Sequence, residues 1–350
     1  MKRFRFSIII VTWNALHHLK NYLPSVSNTK YPDFEIIIAD NASNDGTADW
    51  VREYFPSVRI VTMDKNYGYC GGNNRAAEKA SGDILLFLNN DVEISPDWLN
   101  AINKSFQESP ETAVVQPKLR SHSNKEYFEY AGAAGGFLDK YGYPFCRGRI
   151  LEKVEKDTGQ YDKATDIFWA SGAAFAIRRE IFEKMNGFDE DFEFHMEEID
   201  LCWRLWNRGY RIRYNSESIV YHLGGGSLAM GSPRKVYYNF RNNLMMFWKN
   251  ATSYDLLIRF PVRYLLDLLA LLRSFVTFHW MESAAIVKAH YHFWRSFSKT
   301  NLKRRHLQSK RKNKDNPVTL IPLSIIWQYY FLGRKTYDVI KQKQPGKFKF

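Results

Sequence analysis

Ile84-Leu-Leu-Phe-Leu-Asn-Asn-Asp91-Val-Glu-Ile94 decides how the chain is read. It begins as an uninterrupted apolar run of strand length and stops at Asn89, Asn90 and Asp91. Such a run, without alternation, predicts a strand buried on both faces of a mainly parallel sheet. Polar residues at the carboxyl end of that strand lie at the sheet edge where open α/β folds take their ligands. A carboxylate at that point suits a hard divalent cation held on phosphate oxygens. Read alone, Asn-Asn-Asp is equally an ordinary turn.

The residues upstream supply the context. Residues 6–12 are rich in β-branched side chains and predict a first strand; Leu16, Leu19, Leu23 and Val26 follow at helical spacing. Residues 35–39 predict a second strand, 47–55 a helix, 58–63 a third strand and 73–80 a helix. Alternating strands and helices imply a parallel sheet covered by helices. Asp40 and Asp91 each end a strand and Asn66 follows a third, so all three converge on one sheet edge. Gly68, Gly71 and Gly72 permit close backbone approach to a ligand, although each of these signals is also plain loop punctuation. No GxGxxG spacing is present, which argues against a nicotinamide-dependent oxidoreductase.

Downstream the pattern loosens. Residues 114–118 predict a strand, 126–149 loops or a small antiparallel element, 181–185 and 197–208 helices, and 211–214 and 219–222 short strands. Residues 256–280 are long and apolar but broken by Arg259, Arg263, Asp267 and Arg273, which suits an amphipathic helix better than a spanning one.

The 350 residues carry a net charge of +13, which implies an anionic partner. Three cysteines, Cys70, Cys146 and Cys202, form no CxxC pair and fit a reducing, cytoplasmic setting. The basic Met1-Lys-Arg-Phe-Arg start precedes too short an apolar run for a secretion signal and reads as the lead into a core strand. The basic run from Lys303 to Lys314 has three readings: a solvated face, a nucleic-acid site without a recognised motif, or an anionic membrane surface. The membrane reading is preferred, because the run follows the aromatic-rich region 256–294.

In order, Ser7-Ile-Ile-Ile-Val-Thr-Trp-Asn14, Asp40-Asn-Ala-Ser-Asn-Asp45-Gly-Thr47, Asn66-x-Gly68-x-x-Gly-Gly72-Asn-Asn74 and Leu88-Asn-Asn-Asp91 resemble the successive motifs of glycosyltransferase family 2. Gly172-Ala-Ala-Phe-Ala-Ile-Arg178, Gly187-Phe-Asp189, Glu197-Glu-Ile-Asp-Leu-Cys-Trp-Arg204 and His222-Leu-Gly-Gly-Gly-Ser227 extend the resemblance, which is nearest to the rhamnosyltransferase-like branch. It implies a GT-A nucleotide-diphospho-sugar transferase fold, Rossmann-like, with a mainly parallel sheet flanked by helices. A helical, membrane-associating extension would occupy residues 251–350. The catalytic domain would be residues 1–250, with a nucleotide-binding half at 1–97 and an acceptor half at 98–250.

The resemblance further implies an inverting transfer from a nucleotide-sugar donor, dTDP-L-rhamnose or alternatively a UDP-sugar, with Mg2+ or Mn2+. The acceptor would be a polysaccharide or a lipid-linked glycan at the cytoplasmic face of a bacterial membrane, with no nucleic acid involved. Thr12, Asn14, Asp40 and Asp45 would contact the nucleoside. Asn66, Gly68, Asn74, Asn89 and Asn90 would shape the donor site. Asp91 would bind the metal, with His222 as a second ligand. Glu198 would be the base and Glu197 its runner-up; Trp169, Gly172 and Asp200 would border the acceptor pocket. Read from chemistry alone, the clustered carboxylates Glu197, Glu198 and Asp200 can raise one another's pKa, and they are equally at home in the first turn of a helix. Asn89 and Glu198 depart from the family's usual acids, which leaves a non-catalytic sugar-binding protein as the rival reading.

Overall fold

The computed structural model describes residues 3–224, 231–312 and 320–348. The strands are β1 (Phe6–Thr12), β2 (Phe34–Asp40), β3 (Arg59–Thr62), β4 (Ile84–Leu88), β5 (Val92–Ile94), β6 (Thr112–Ser121), β7 (Gly136–Leu138), β8 (Pro144–Cys146), β9 (Arg149–Ile150), β10 (Lys153–Val154), β11 (Thr165–Asp166), β12 (Ala174–Arg178) and β13 (Arg211–His222). The helices are α1 (Leu16–Ser27), α2 (Thr47–Tyr54), α3 (Gly68–Ala77), α4 (Trp98–Glu108), α5 (Arg179–Lys184), α6 (Glu197–Asn207), α7 (Pro233–Asn250), α8 (Ser253–Val276), α9 (Trp280–Arg295), α10 (Phe297–Ser309) and α11 (Tyr337–Lys343).

The main sheet runs β11-β13-β6-β12-β4-β1-β2-β3, with β5 added on β13. Its β4-β1-β2-β3 portion is parallel and is linked by α1, α2 and α3. The chain steps outward from β1 to β3 and then returns to β4 on the other side of β1. That reversal creates a crevice at the carboxyl ends of β1 and β4. All five residues of β4 are buried, as expected of an interior strand. β12 enters antiparallel between β4 and β6. The strands β7–β10 form a separate antiparallel sheet. The result is a mixed α/β, GT-A-like fold with a C-terminal helical region.

Three element boundaries differ from the sequence expectation. Helix α3 starts at Gly68 and takes in the glycine run. A Cβ on Gly72 would lie 2.8 Å from Asn41 Nδ2 and 3.0 Å from Val11 Cγ1, so the missing side chain brings the helix against β1 and the 41–47 loop. The two short strands 211–214 and 219–222 are one strand, β13, with a register shift between Asn215 and Ile219. The segment after Asp91 does not leave the sheet: β5 pairs antiparallel with β13 and sets Val92 opposite His222. That pairing brings two motifs far apart in sequence to the same point.

Helix α7 packs on α6, and α8, α9 and α10 pack in turn against α7. The chain then returns to the small sheet, where Ile321 N donates to Leu138 O (2.9 Å) and Ile325 N to Asp139 Oδ2 (2.9 Å). The basic run is partly consumed inside the protein, contrary to the reading that assigned it to a membrane surface. Lys303 Nζ binds Asp189 Oδ1 (2.5 Å) and Asp191 Oδ2 (2.6 Å), and the buried Arg304 donates to the carbonyls of Trp248 and Ala251. Asn313 and Lys314 lie outside the described residues. Among the described residues no helix is long and apolar enough to cross a membrane.

The buried Arg204 joins α6 to the 185–187 turn. Its Nε donates to Asp200 Oδ2 (2.9 Å), and its two Nη atoms donate to Met185 O (2.7 Å) and Gly187 O (2.9 Å). Removing one partner of such a cluster strands buried polar groups. Arg204→Met is expected to lower stability by about 3 kcal/mol in urea unfolding; an unchanged midpoint would show that the turn does not depend on this residue.

Candidate active site

Asn89, Asp91, Gly172, Glu197, Glu198 and His222 line one cavity of about 560 Å3. The β5–β13 pairing sets His222 Nε2 3.1 Å from Asp91 Oδ1 and 3.4 Å from Asn89 Nδ2. On the other edge of the ring, Nδ1 lies 3.2 Å from Glu129 Oε1, an ion-pair distance without hydrogen-bond alignment. Burial works against charge on His222, but Glu129 and Asp91 outweigh it and raise the imidazole to about 10. Burial likewise works to raise the Asp91 carboxyl, and the hydrogen bond and charge of His222 hold it below its ordinary value.

Among the described residues no three His, Cys, Asp or Glu side chains already converge on one metal position. Asp91 and His222 Nε2 nevertheless suit two ligands of one ion. The donor set, one carboxylate and one imidazole, suits Mn2+ better than Mg2+, which takes oxygen ligands. An ion taking Nε2 would displace its proton.

The second half of the site stands at the start of α6. Glu193, His195 and Met196 all have positive φ (61°, 65° and 72°), a conformation that costs non-glycine residues about 1–3 kcal/mol each. Helix α7 holds this segment by its carbonyls. Asn242 Nδ2 lies 2.8, 2.6 and 2.9 Å from the oxygens of Phe192, Phe194 and His195, and Arg241 Nη2 donates to Asp191 O (2.7 Å). The segment delivers Glu197 and Glu198 into the cavity. Glu198 opens onto it yet is enclosed by protein, and burial raises its carboxyl to about 7. Burial, reinforced by the neighbouring Glu198 charge, pushes Glu197 well above the usual carboxylate range. One oxygen of each, Oε2, is buried without a partner.

The remaining sequence candidates fall into two groups. Thr12, Asn14, Asp40, Asp45, Asn66, Gly68 and Asn90 lie around the adjoining carboxyl ends of β1 and β2, not in the cavity lining. Asn90 Nδ2 reaches Thr12 Oγ1 at 3.3 Å and so joins this group to the turn after β4. Asn14 and Asp45 fold the 41–47 loop: Asn14 Oδ1 accepts from Asn44 N (2.8 Å) and Asp45 Oδ2 from Leu16 N (2.9 Å). Asp40 Oδ1 accepts from Ser43 N (3.0 Å), and Asn66 Oδ1 from Gly68 N (2.8 Å) at the entry to α3.

Three further sequence candidates lie outside the cavity lining. Asn74 is turned away from the cavity: its Nδ2 donates to Phe188 O (2.9 Å) and its Oδ1 accepts from Phe188 N (2.9 Å). Trp169 is buried core beneath Gly136, with its indole N–H on Phe137 O (3.0 Å). Asp200 is fully buried among Arg204, Asn250 and Lys249. Gly225, Gly226 and Ser227 of the last motif lie outside the described residues.

Sequence reasoning missed Glu129, His195 and Lys235, which also line the cavity. Burial, then the Lys235 charge, lowers His195 to about 4, so the ring is neutral at pH 7. Glu129 sits in an irregular aromatic region and Lys235 in an unremarkable first helical turn; only tertiary placement reveals them.

Known proteins place this geometry. The chain is 30% identical over 240 residues to the O-antigen biosynthesis protein RfbC of Myxococcus xanthus, covering 67% of this chain and 18% of that protein. It is 26% identical over 229 residues to N-acetylglucosaminyl-diphospho-decaprenol L-rhamnosyltransferase of Mycobacterium tuberculosis, covering 61% of this chain and 75% of the relative. The fold matches a mannosyltransferase of Pyrobaculum calidifontis solved with GDP-Man and Mn2+, with a TM-score of 0.51 and 16% identity over 90% of this chain and 89% of that one. The family profile "Glycosyl transferase family 2" matches residues 7–185, just over half of the chain. With its mainly parallel sheet and the ordered motifs along it, the chain belongs to glycosyltransferase family 2.

Proposed function

We propose an inverting, metal-dependent transfer of a sugar from a nucleotide-sugar donor to a hydroxyl of a cell-surface polysaccharide or lipid-linked glycan. The observation that carries this reading is one cavity holding both the Asp91–His222 pair and the Glu197–Glu198 pair. The donor is proposed as dTDP-L-rhamnose, supported by the rhamnosyltransferase of Mycobacterium tuberculosis at 26% identity. A UDP-sugar is the alternative, and the same fold serves GDP-Man in the Pyrobaculum enzyme. A binding protein without catalysis has no need of a carboxylate poised near neutrality, which favours the enzyme.

Asp91 and His222 would hold Mg2+ or Mn2+, which when bound neutralises the leaving diphosphate. Glu198 accepts the proton of the acceptor hydroxyl as that oxygen attacks the anomeric carbon. The bond from that carbon to the diphosphate oxygen breaks, its electron pair leaves with the nucleoside diphosphate, and attack from the opposite face inverts the configuration. Glu197 is the runner-up as base: burial, with the Glu198 charge beside it, pushes its carboxyl well above the usual carboxylate range, which favours Glu198. Thr12, Asn14, Asp40 and Asp45 are proposed to face the nucleoside, with Asn66, Gly68, Asn89 and Asn90 shaping the donor site and Gly172 bordering the acceptor. Residues 1–250 would be the catalytic unit and 251–350 its extension, docked peripherally on the cytoplasmic face of the membrane.

Turnover of a donor panel with Mn2+ tests this assignment. Glu198→Gln is expected to lower kcat by about 10²–10⁴-fold while donor binding persists; transfer at the wild-type rate would remove Glu198 from the chemistry. A base raised to about 7 works only when deprotonated, so wild-type kcat/KM is expected to climb with pH and level off above about 7. A profile flat from pH 5 to pH 9 would contradict it.

A further inference from the structure

Helix α8 is built inside out. Its buried residues include Arg263, Asp267 and Ser274 beside Phe260, while five of its leucines are exposed. Arg263 Nε binds Asp267 Oδ1 (2.9 Å), Tyr143 OH donates to the same oxygen (3.2 Å), and His290 of α9 approaches Oδ2 (3.5 Å). The polar side of the helix is thus turned into the protein, where Asp267 Oδ1 is well partnered while Asp267 Oδ2 and both His290 ring nitrogens have no hydrogen-bond partner.

Leu257, Leu265, Leu268, Leu269, Leu272 and Phe275 recur at helical spacing, with exposures from 43% to 74%. Phe278, Trp280 and Met281 continue the face into α9 at 51% to 74%. Among the described residues nothing covers this stripe. Val262 and Leu266 share a groove with Trp327, whose own segment exposes Tyr330 and Phe331. Single exposed apolar residues are unremarkable, but a contiguous face of this size marks an interaction surface.

We infer that the outer face of α8, with the α8–α9 turn, lies in the headgroup–acyl boundary of an anionic lipid bilayer. This deepens the membrane partner proposed above and replaces the basic run with a different surface. It is independent of the transfer chemistry. An in-plane amphipathic helix with aromatics beside its apolar stripe suits an interface, and no described helix crosses. The exposed cations Arg273 and Lys288 flank the stripe, and the chain carries +13 overall, which complements acidic headgroups. The docked face also lies close to the cavity. Met281 and Lys288 share a groove with Pro233, Arg234 and Tyr237 at the start of α7, and Lys235 in that same turn lines the catalytic cavity. A bilayer there would present a lipid-linked hydroxyl beside the carboxylates.

Flotation of the full-length protein with vesicles of equimolar phosphatidylglycerol and phosphatidylcholine tests the inference, with pure phosphatidylcholine as control. Wild type is expected to float with the anionic vesicles. The combined Leu265→Glu, Leu269→Glu and Leu272→Glu variant is expected to lose about tenfold or more in partitioning, with unchanged melting temperature and donor hydrolysis. Should that variant not fold, Arg273→Glu with Lys288→Glu gives the same readout through the charge. Wild type that ignores both vesicle types, or triple and charge variants that float as well as wild type, would overturn the inference. Equal flotation with neutral vesicles would overturn the headgroup assignment. A dimer that the triple variant dissolves, without vesicle binding, would assign the face to a second copy.

Discussion

The clamp of α7 on residues 191–196 is the constraint on which the site depends. Glu193, His195 and Met196 are held at positive φ, a backbone conformation that is costly for non-glycine residues. Asn242, buried and in reach of three carbonyls, makes that path tolerable. The strained segment is what turns the first residues of α6 into the cavity. Without it Glu197 and Glu198 would be the solvated acids of an ordinary first helical turn, with no reason to be raised. The environment, rather than the residue type, makes them a plausible proton acceptor pair.

The same logic explains where the positive charge goes. Lys249, Lys299 and Lys303 bind Asp189 and Asp191, at the start of the clamped segment. Paired charges in such a place cost desolvation and fix geometry more than they add stability. Helices α7 and α10 therefore brace residues 189–191.

The sheet was legible because a strand buried on both faces has few sequence solutions. The run at 84–88 and the β-branched run at 6–12 could be little else, and their polar ends marked the crevice. The start of α3 was not legible: glycine is a poor helix former, and its use at Gly72 follows from the proximity of Asn41 and Val11, which local propensity does not encode. The union of Asp91 with His222 was expected only through the order of motifs. Its physical cause, the β5–β13 pairing, is a long-range contact. Asn74 and Trp169 show a different limit. Each carries the right chemistry in the right motif, yet each satisfies its polar atoms on backbone and faces away from the cavity. Glu129 and His195 come from segments with no periodicity and Lys235 from an unremarkable first helical turn, and they are joined only by folding.

The central claim is that Asp91, paired with His222, forms the metal-assisted diphosphate subsite of a transferase. Calorimetric titration of nucleoside diphosphates into wild type and Asp91→Asn, each with and without Mn2+, tests it most directly. The account predicts that Mn2+ strengthens wild-type binding by about tenfold or more and leaves Asp91→Asn unchanged. Equal strengthening by Mn2+ in both proteins would contradict it.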